Sequence, residues 1–164
     1  METKRSERGL TNAYLQDLIK NITLSDFKGV FPQNLGDSIF TDEERASVVL
    51  NLDFSYEKGS HFVGIYKKSD RIVYFDSYGE EPENFTKDFL RKFNIPLIIN
   101  KVKIQSKLSE FCGYYTAAFI LSQDIGLELN DFTNLFITGE DNKLIANDKL
   151  VIFFIQNYIK NFKI

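Results

Sequence analysis

The chain has 164 residues, which suits one domain and leaves little room for a second. Hydrophobic residues make up 43% and aromatics 15%, with 16 Phe, 8 Tyr and no Trp, so a packed core is attainable and a disordered chain is excluded. Against 23 acidic residues stand 20 basic ones; the formal net charge of −3 excludes a global attraction to nucleic acid or to an anionic membrane.

In chain order, Met1 to Gly9 reads as a mobile tail, and Met1 to Arg8 is charged without the apolar centre of a secretory signal. Thr11 is placed to cap a first helix carrying Tyr14, Leu15, Leu18 and Ile22 at helical spacing. Phe27 to Thr41, with Gly29, Pro32 and Gly36, reads as a loop, and Ala46 to Phe54 as a strand. His61–Tyr66 and Arg71–Asp76 flank the polar Lys67-Lys68-Ser69-Asp70 and predict a hairpin, which the run from Ser77 to Pro82 ends. Asn84 to Phe93 suits a helix with Phe85, Phe89 and Phe93 on one face, and Leu97 to Ile104 a strand after Pro96. Cys112 to Gln123 is apolar almost all round, as in a buried helix. A short helix over Asp131–Ile137, closed by Gly139, and a last one over Asp148–Phe162 complete the pattern. This order predicts one α+β domain over residues 1–164, with a mixed, mostly antiparallel sheet packed around a central buried helix. No apolar run approaches the roughly 20 residues that span a bilayer, so no membrane partner is expected.

One histidine and one cysteine are present, so Cys–His chemistry must use His61 and Cys112. With the hairpin turn centred between Lys68 and Ser69, Tyr66 faces Arg71, Gly64 faces Val73 and His61 faces Asp76. Opposed residues share a face of the sheet, where a carboxylate can hold an imidazole N–H and fix its tautomer. Cys112 opens the apolar helix, and a helix N-terminus favours a thiolate and presents free backbone N–H groups to a developing oxyanion. Gly113 allows a close approach, and Gln105, at the end of the preceding strand, can add a second neutral donor. Each residue alone has a plain structural explanation: Cys112 as a small buried hydrophobe, Asp76 as the start of a turn. Their combination favours chemistry. One Cys and one His are too few for a typical structural zinc site, and a single thiol allows no internal disulfide and suits a reducing compartment.

The ordered set Gly59-Ser60-His61-Phe62, Tyr74-Phe75-Asp76-Ser77-Tyr78-Gly79, Gln105 and Cys112-Gly113 resembles the adenovirus maturation protease (adenain) family. It is similar at a greater distance to the SUMO-deconjugating, Ulp-like cysteine proteases. The likeness extends over Asn134-Leu135-Phe136-Ile137-Thr138-Gly139, and the short length suits the enzymes of virophages and adenovirus-like elements. The resemblance implies Cys112 as nucleophile, His61 as general base and acid, and Asp76 as orienter. Gln105 and the Cys112 N–H would form the oxyanion hole. It implies cleavage after glycine, in Gly-Gly or Gly-X, of viral capsid or core precursors, by a monomer inside the virion or infected cell. Two departures stand out. The family's Trp after the histidine is Phe62, which changes the packing over the imidazole. The adenovirus enzyme's disulfide-linked activating peptide has no second cysteine here to bind, so an activating peptide would be held non-covalently. No cofactor is required for the chemistry. Lys101, Lys103, Lys107 and Arg91-Lys92 offer a local basic stretch, so DNA binding, if any, is expected to be weak. Removal of a ubiquitin-like modifier, acetyl transfer, and a non-catalytic capsid module are the competing functions.

Overall fold

The structure, a computed structural model, describes residues 11–33, 40, 45–52 and 61–162. The expected mobile tail over Met1–Gly9, the pair Gly59-Ser60, and the end of the expected strand at Asp53 and Phe54 lie outside them. Thr11 caps α1 (Asn12–Ile22) as expected, its hydroxyl accepting the Tyr14 N–H at 3.2 Å. The buried face of α1 is Leu15, Ile19 and Ile22, while Tyr14 stays exposed.

A strand, β1 (Asp26–Pro32), occupies much of the expected loop over Phe27–Thr41. Gly29 and Pro32 read as loop signals because both suit an edge. Gly29 has φ 120° at the point where the register with the next strand slips, and Pro32 ends the edge strand, where a missing N–H costs nothing. Next come β2 (Ala46–Asn51), β3 (Phe62–Lys67), β4 (Ile72–Phe75), α2 (Asn84–Arg91) and β5 (Leu97–Ile99). The sheet runs β1-β2-β3-β4-β5, antiparallel at its centre and parallel at both edges. The helices α3 (Cys112–Asp124), α4 (Leu129–Thr133), α5 (Asp141–Leu144) and α6 (Asn147–Phe162) follow. α4 begins and ends earlier than the helix expected over Asp131–Ile137, and α5 was not expected. On α2 the buried face is Thr86, Phe89 and Leu90, with Phe85 turned to solvent.

Alternation along the strands divides the core in two. Val49, Phe62, Tyr66, Val73 and Phe75 join one cluster with α3, α1 and α6. Val48, Leu50, Val63, Ile65, Ile72 and Tyr74 join the other, with Phe89 and Leu90 of α2. α3 is therefore covered on nearly every side, as its all-round apolar sequence requires. Gly64 sets how closely α3 lies on the sheet. A Cβ there would stand 2.9 Å from Phe119 Cδ1 and 3.1 Å from Thr116 Cγ2, so its absence lets the helix rest directly on β3. That contact brings the head of α3 beside the start of β3.

Candidate active site

His61 immediately precedes β3 and Asp76 immediately follows β4, so the hairpin carries both, but not in the expected register. Gly64 pairs with Phe75 and Tyr66 with Val73, and Lys68 N–H donates to the Arg71 carbonyl at 2.8 Å. The turn is thus centred between Ser69 and Asp70, not between Lys68 and Ser69, and the pairing is displaced by two residues. A displacement of two keeps each side chain on its face, whereas a displacement of one would have reversed it. Extended outward, this register sets Tyr78 opposite His61 and makes Asp76 its diagonal neighbour, still within side-chain reach. His61 Nε2 and Asp76 Oδ1 are 2.8 Å apart, and the Tyr78 ring stacks on the imidazole at 4.5 Å and 18°. Tyr78 thereby covers the ring in a chain that has Phe62 after the histidine.

Asp76 is held from several sides. Its Oδ1 also accepts the Tyr78 N–H at 2.8 Å, and its carbonyl accepts the Gly79 N–H at 2.8 Å and the Asn100 amide at 2.7 Å. The carboxylate is almost fully buried. Gly79 has φ +72°, and a Cβ there would lie 2.9 Å from backbone atoms of Lys101, Val102 and Lys103. Only glycine lets this turn lie against that segment. Asn100 explains why the strand expected over Leu97–Ile104 stops at Ile99. Its side chain donates to the Asp76 and Val102 carbonyls and accepts the Val102 N–H, bending the chain out of the ladder.

Gln105 consequently sits in an irregular segment, not at the end of a strand. Its N–H and that of Ile104 both donate to the Ser77 carbonyl, at 3.1 and 2.9 Å. The side chain is fully buried and oriented. The Ser77 hydroxyl donates to Gln105 Oε1 at 2.5 Å, which directs Nε2 toward Ser109, whose carbonyl accepts it at 3.0 Å. The amide nitrogen also lies 3.4 Å from the Ser109 hydroxyl oxygen. Asn147 of α6 bonds the Ile104 carbonyl at 2.7 Å and fixes the same segment from the far side.

Cys112 opens α3, buried at 5% exposure, with Phe111 as its N-cap and no side-chain cap hydrogen bond. Thr116 bonds both the Cys112 carbonyl, at 2.8 Å, and the Phe62 carbonyl, at 3.2 Å, tying the head of α3 to the start of β3. With Nε2 engaged by Asp76, the other ring nitrogen of His61 is buried. Burial alone would lower the pKa of His61. The hydrogen bonds to Asp76 and Cys112 and the charges of both outweigh it and push the ring up to about 9.

The structure therefore brings His61, Asp76 and Cys112 together and places Gln105 on the same loop system, seven residues before the thiol. Ser77, Tyr78, Asn100 and Ser109 were not singled out in the sequence. Ser77 and Tyr78 stood inside the quoted motif but read only as the end of the hairpin. Asn100 carried no local signal, because its partners are distant. Among the described residues no cluster of His, Cys, Asp and Glu fits a metal, and no helix is long and apolar enough to cross a membrane.

No known family model and no curated protein matches the sequence. Among solved structures, the chain is similar to the ASFV pS273R protease, with a TM-score of 0.51 and 22% identity over 64% of this chain and 43% of that one. It thus spans less than half the length of that protease. It is also similar to ChlaDub1 from Chlamydia trachomatis, with a TM-score of 0.51 and 11% identity over 94% of this chain and 81% of that one. Identities this low concern the fold: the chain has the α+β fold, a mixed sheet against a buried helix, that is found in the ASFV pS273R protease and in ChlaDub1.

Proposed function

We propose that this chain is a cysteine endopeptidase of the adenovirus maturation type, cleaving viral capsid or core precursors after glycine. The observation that carries the enzymatic reading is the His61 ring, bonded through Nε2 to Asp76 at 2.8 Å and set beside Cys112 at the head of α3, with Asp76 first and Cys112 next raising its basicity. The Cys112 sulfur adds to the scissile carbonyl carbon, and the carbonyl pair moves onto oxygen. The backbone N–H of Cys112 and the side-chain amide of Gln105 receive that oxyanion. The pair then returns, the C–N bond breaks, and the imidazolium gives its proton to the departing amine. Water attacks the thioester, its proton passes to His61, and the carboxylic acid leaves as the thiolate is restored.

The choice of precursor proteins rests on the motif likeness around His61, Asp76, Gln105 and Cys112. A monomer acting in the virion or in the infected cell follows from the same reading, as does activation by a non-covalently held peptide. The test is incubation with a capsid precursor, a ubiquitin-like fusion and acetyl-coenzyme A, each with the wild type and with Cys112→Ala. Cleavage of the precursor after glycine, lost in Cys112→Ala, is the expected result. Turnover of the fusion alone would transfer the site to deconjugation, and acetylation alone to acyl transfer. No turnover of any substrate, with or without a candidate activating peptide, would overturn the enzymatic reading.

A further inference from the structure

Asp148, in the first turn of α6, has no part in the chemistry described so far. Its Oδ1 accepts two hydroxyls, from Ser109 at 2.8 Å and from Tyr115 at 2.7 Å. Ser109 is where the segment leading to Cys112 converges. Its carbonyl accepts the Gln105 amide, and its Oγ accepts the Phe111 N–H at 3.1 Å and lies 3.4 Å from Gln105 Nε2. A hydroxyl carries one proton. Because Asp148 takes it, the lone pairs of Ser109 Oγ are left for donors on either side. One donor is the Gln105 amide and the other is the residue directly before Cys112. Tyr115, one turn into α3, ties the same carboxylate to the helix that carries Cys112.

We propose that Asp148 is a positioning residue for the oxyanion site. Through the hydroxyls of Ser109 and Tyr115 it sets the separation between the Gln105 amide and the Cys112 backbone N–H. This inference rests on the cysteine-protease reading. Asp148 touches no reacting atom, so its effect belongs to the stabilisation of the developing oxyanion and not to the reactivity of the thiol. Two probes separate these. Iodoacetamide alkylation of Cys112 reads the thiol alone. A peptide aldehyde ending in glycinal reads the oxyanion site as well: sulfur adds to the aldehyde carbon, and the carbonyl oxygen, now bearing the electron pair, takes the imidazolium proton to give a hemithioacetal.

In Asp148→Asn, kcat should fall about tenfold with KM within about twofold, and aldehyde affinity should fall about tenfold. The alkylation rate should stay within about twofold. Ser109→Ala should show the same pattern and carries the comparison if Asp148→Asn does not fold. The double variant should lose less than the two single losses combined, because both variants break the shared Ser109–Asp148 link. Unchanged aldehyde affinity in the variants, or equal losses in alkylation and aldehyde binding, would overturn the proposal. A folded wild type that neither cleaves peptides nor binds the aldehyde would instead overturn the protease reading itself, and this inference with it.

Discussion

The charge on His61 is set by a contest between burial, which disfavours it, and the hydrogen bonds and charge interactions with Asp76 and Cys112, which win. A ring whose folded value is raised above the ordinary 6.5 contributes stability that is fully present below about 6.5 and is lost as the pH climbs through about 9. Asp76→Asn removes the stronger of the two bonding partners, so the loss of stability should move to lower pH. Cleavage should fall by about 10²–10⁴-fold. Denaturant unfolding across the pH range checks this, and superimposable profiles for the two proteins would show that Asp76 does not set the ring's charge. Gln105 depends in the same way on a neighbour. Gln105→Ala should lower the chemical rate by about 10²–10³-fold. Ser77→Ala frees the amide from its 2.5 Å anchor and should give a smaller loss, confined to kcat. A change in KM alone for either variant would count against an oxyanion role.

At the scale of elements, the decisive contact is β3 against α3. Gly64→Ala would press a methyl group onto Phe119 and Thr116, two buried side chains. Overpacking of this kind costs about 1–3 kcal/mol, and lifting α3 also moves Cys112 away from His61. A displacement of about 1 Å at reacting groups can cost about 10²-fold in rate. Stability and cleavage should therefore fall together, and a variant that keeps both would show that this contact does not place the thiol. The elements themselves were legible wherever burial imposes a period. The α1 cap at Thr11, the β3–β4 hairpin and the buried α3 follow from local sequence. The misreadings have physical causes. β1 carries edge residues that resemble a loop. β5 ends where Asn100 finds partners far along the chain, and the hairpin register turns on which two of four polar residues form the turn. His61, Asp76 and Cys112 could be read because each stands at the end of a recognisable element. Ser77, Ser109 and Asp148 could not, because their roles lie in tertiary hydrogen bonds between segments far apart in sequence.

At the scale of the whole molecule, charge bears on regulation. Of the basic stretch Lys101, Lys103 and Lys107, the Lys103 ammonium lies 2.7 Å from Asp141, whose carboxyl is held down to about 2 by that hydrogen bond first and by Lys107 N–H and Ser106 next. Lys101 and Lys107 are left as the exposed members, on a chain of net charge −3. Any stimulation of cleavage by DNA should accordingly be small and vanish as salt rises, since phosphate binding weakens with counterion concentration. Stimulation that survives high salt in a peptide-cleavage assay would reveal a dedicated nucleic-acid surface.

The parts of the site also differ in how far apart they lie along the chain. His61 and Asp76 meet across one hairpin, which can close in microseconds, whereas Cys112 joins them only when α3 docks on the finished sheet. During synthesis or refolding the acid and the imidazole can pair early, but the thiol meets the ring last. In a refolding time course, rapid alkylation of Cys112 should appear with the final burial of aromatic side chains and not with the earlier gain of strand signal. Fast alkylation before that burial would show that the thiol is activated without the sheet.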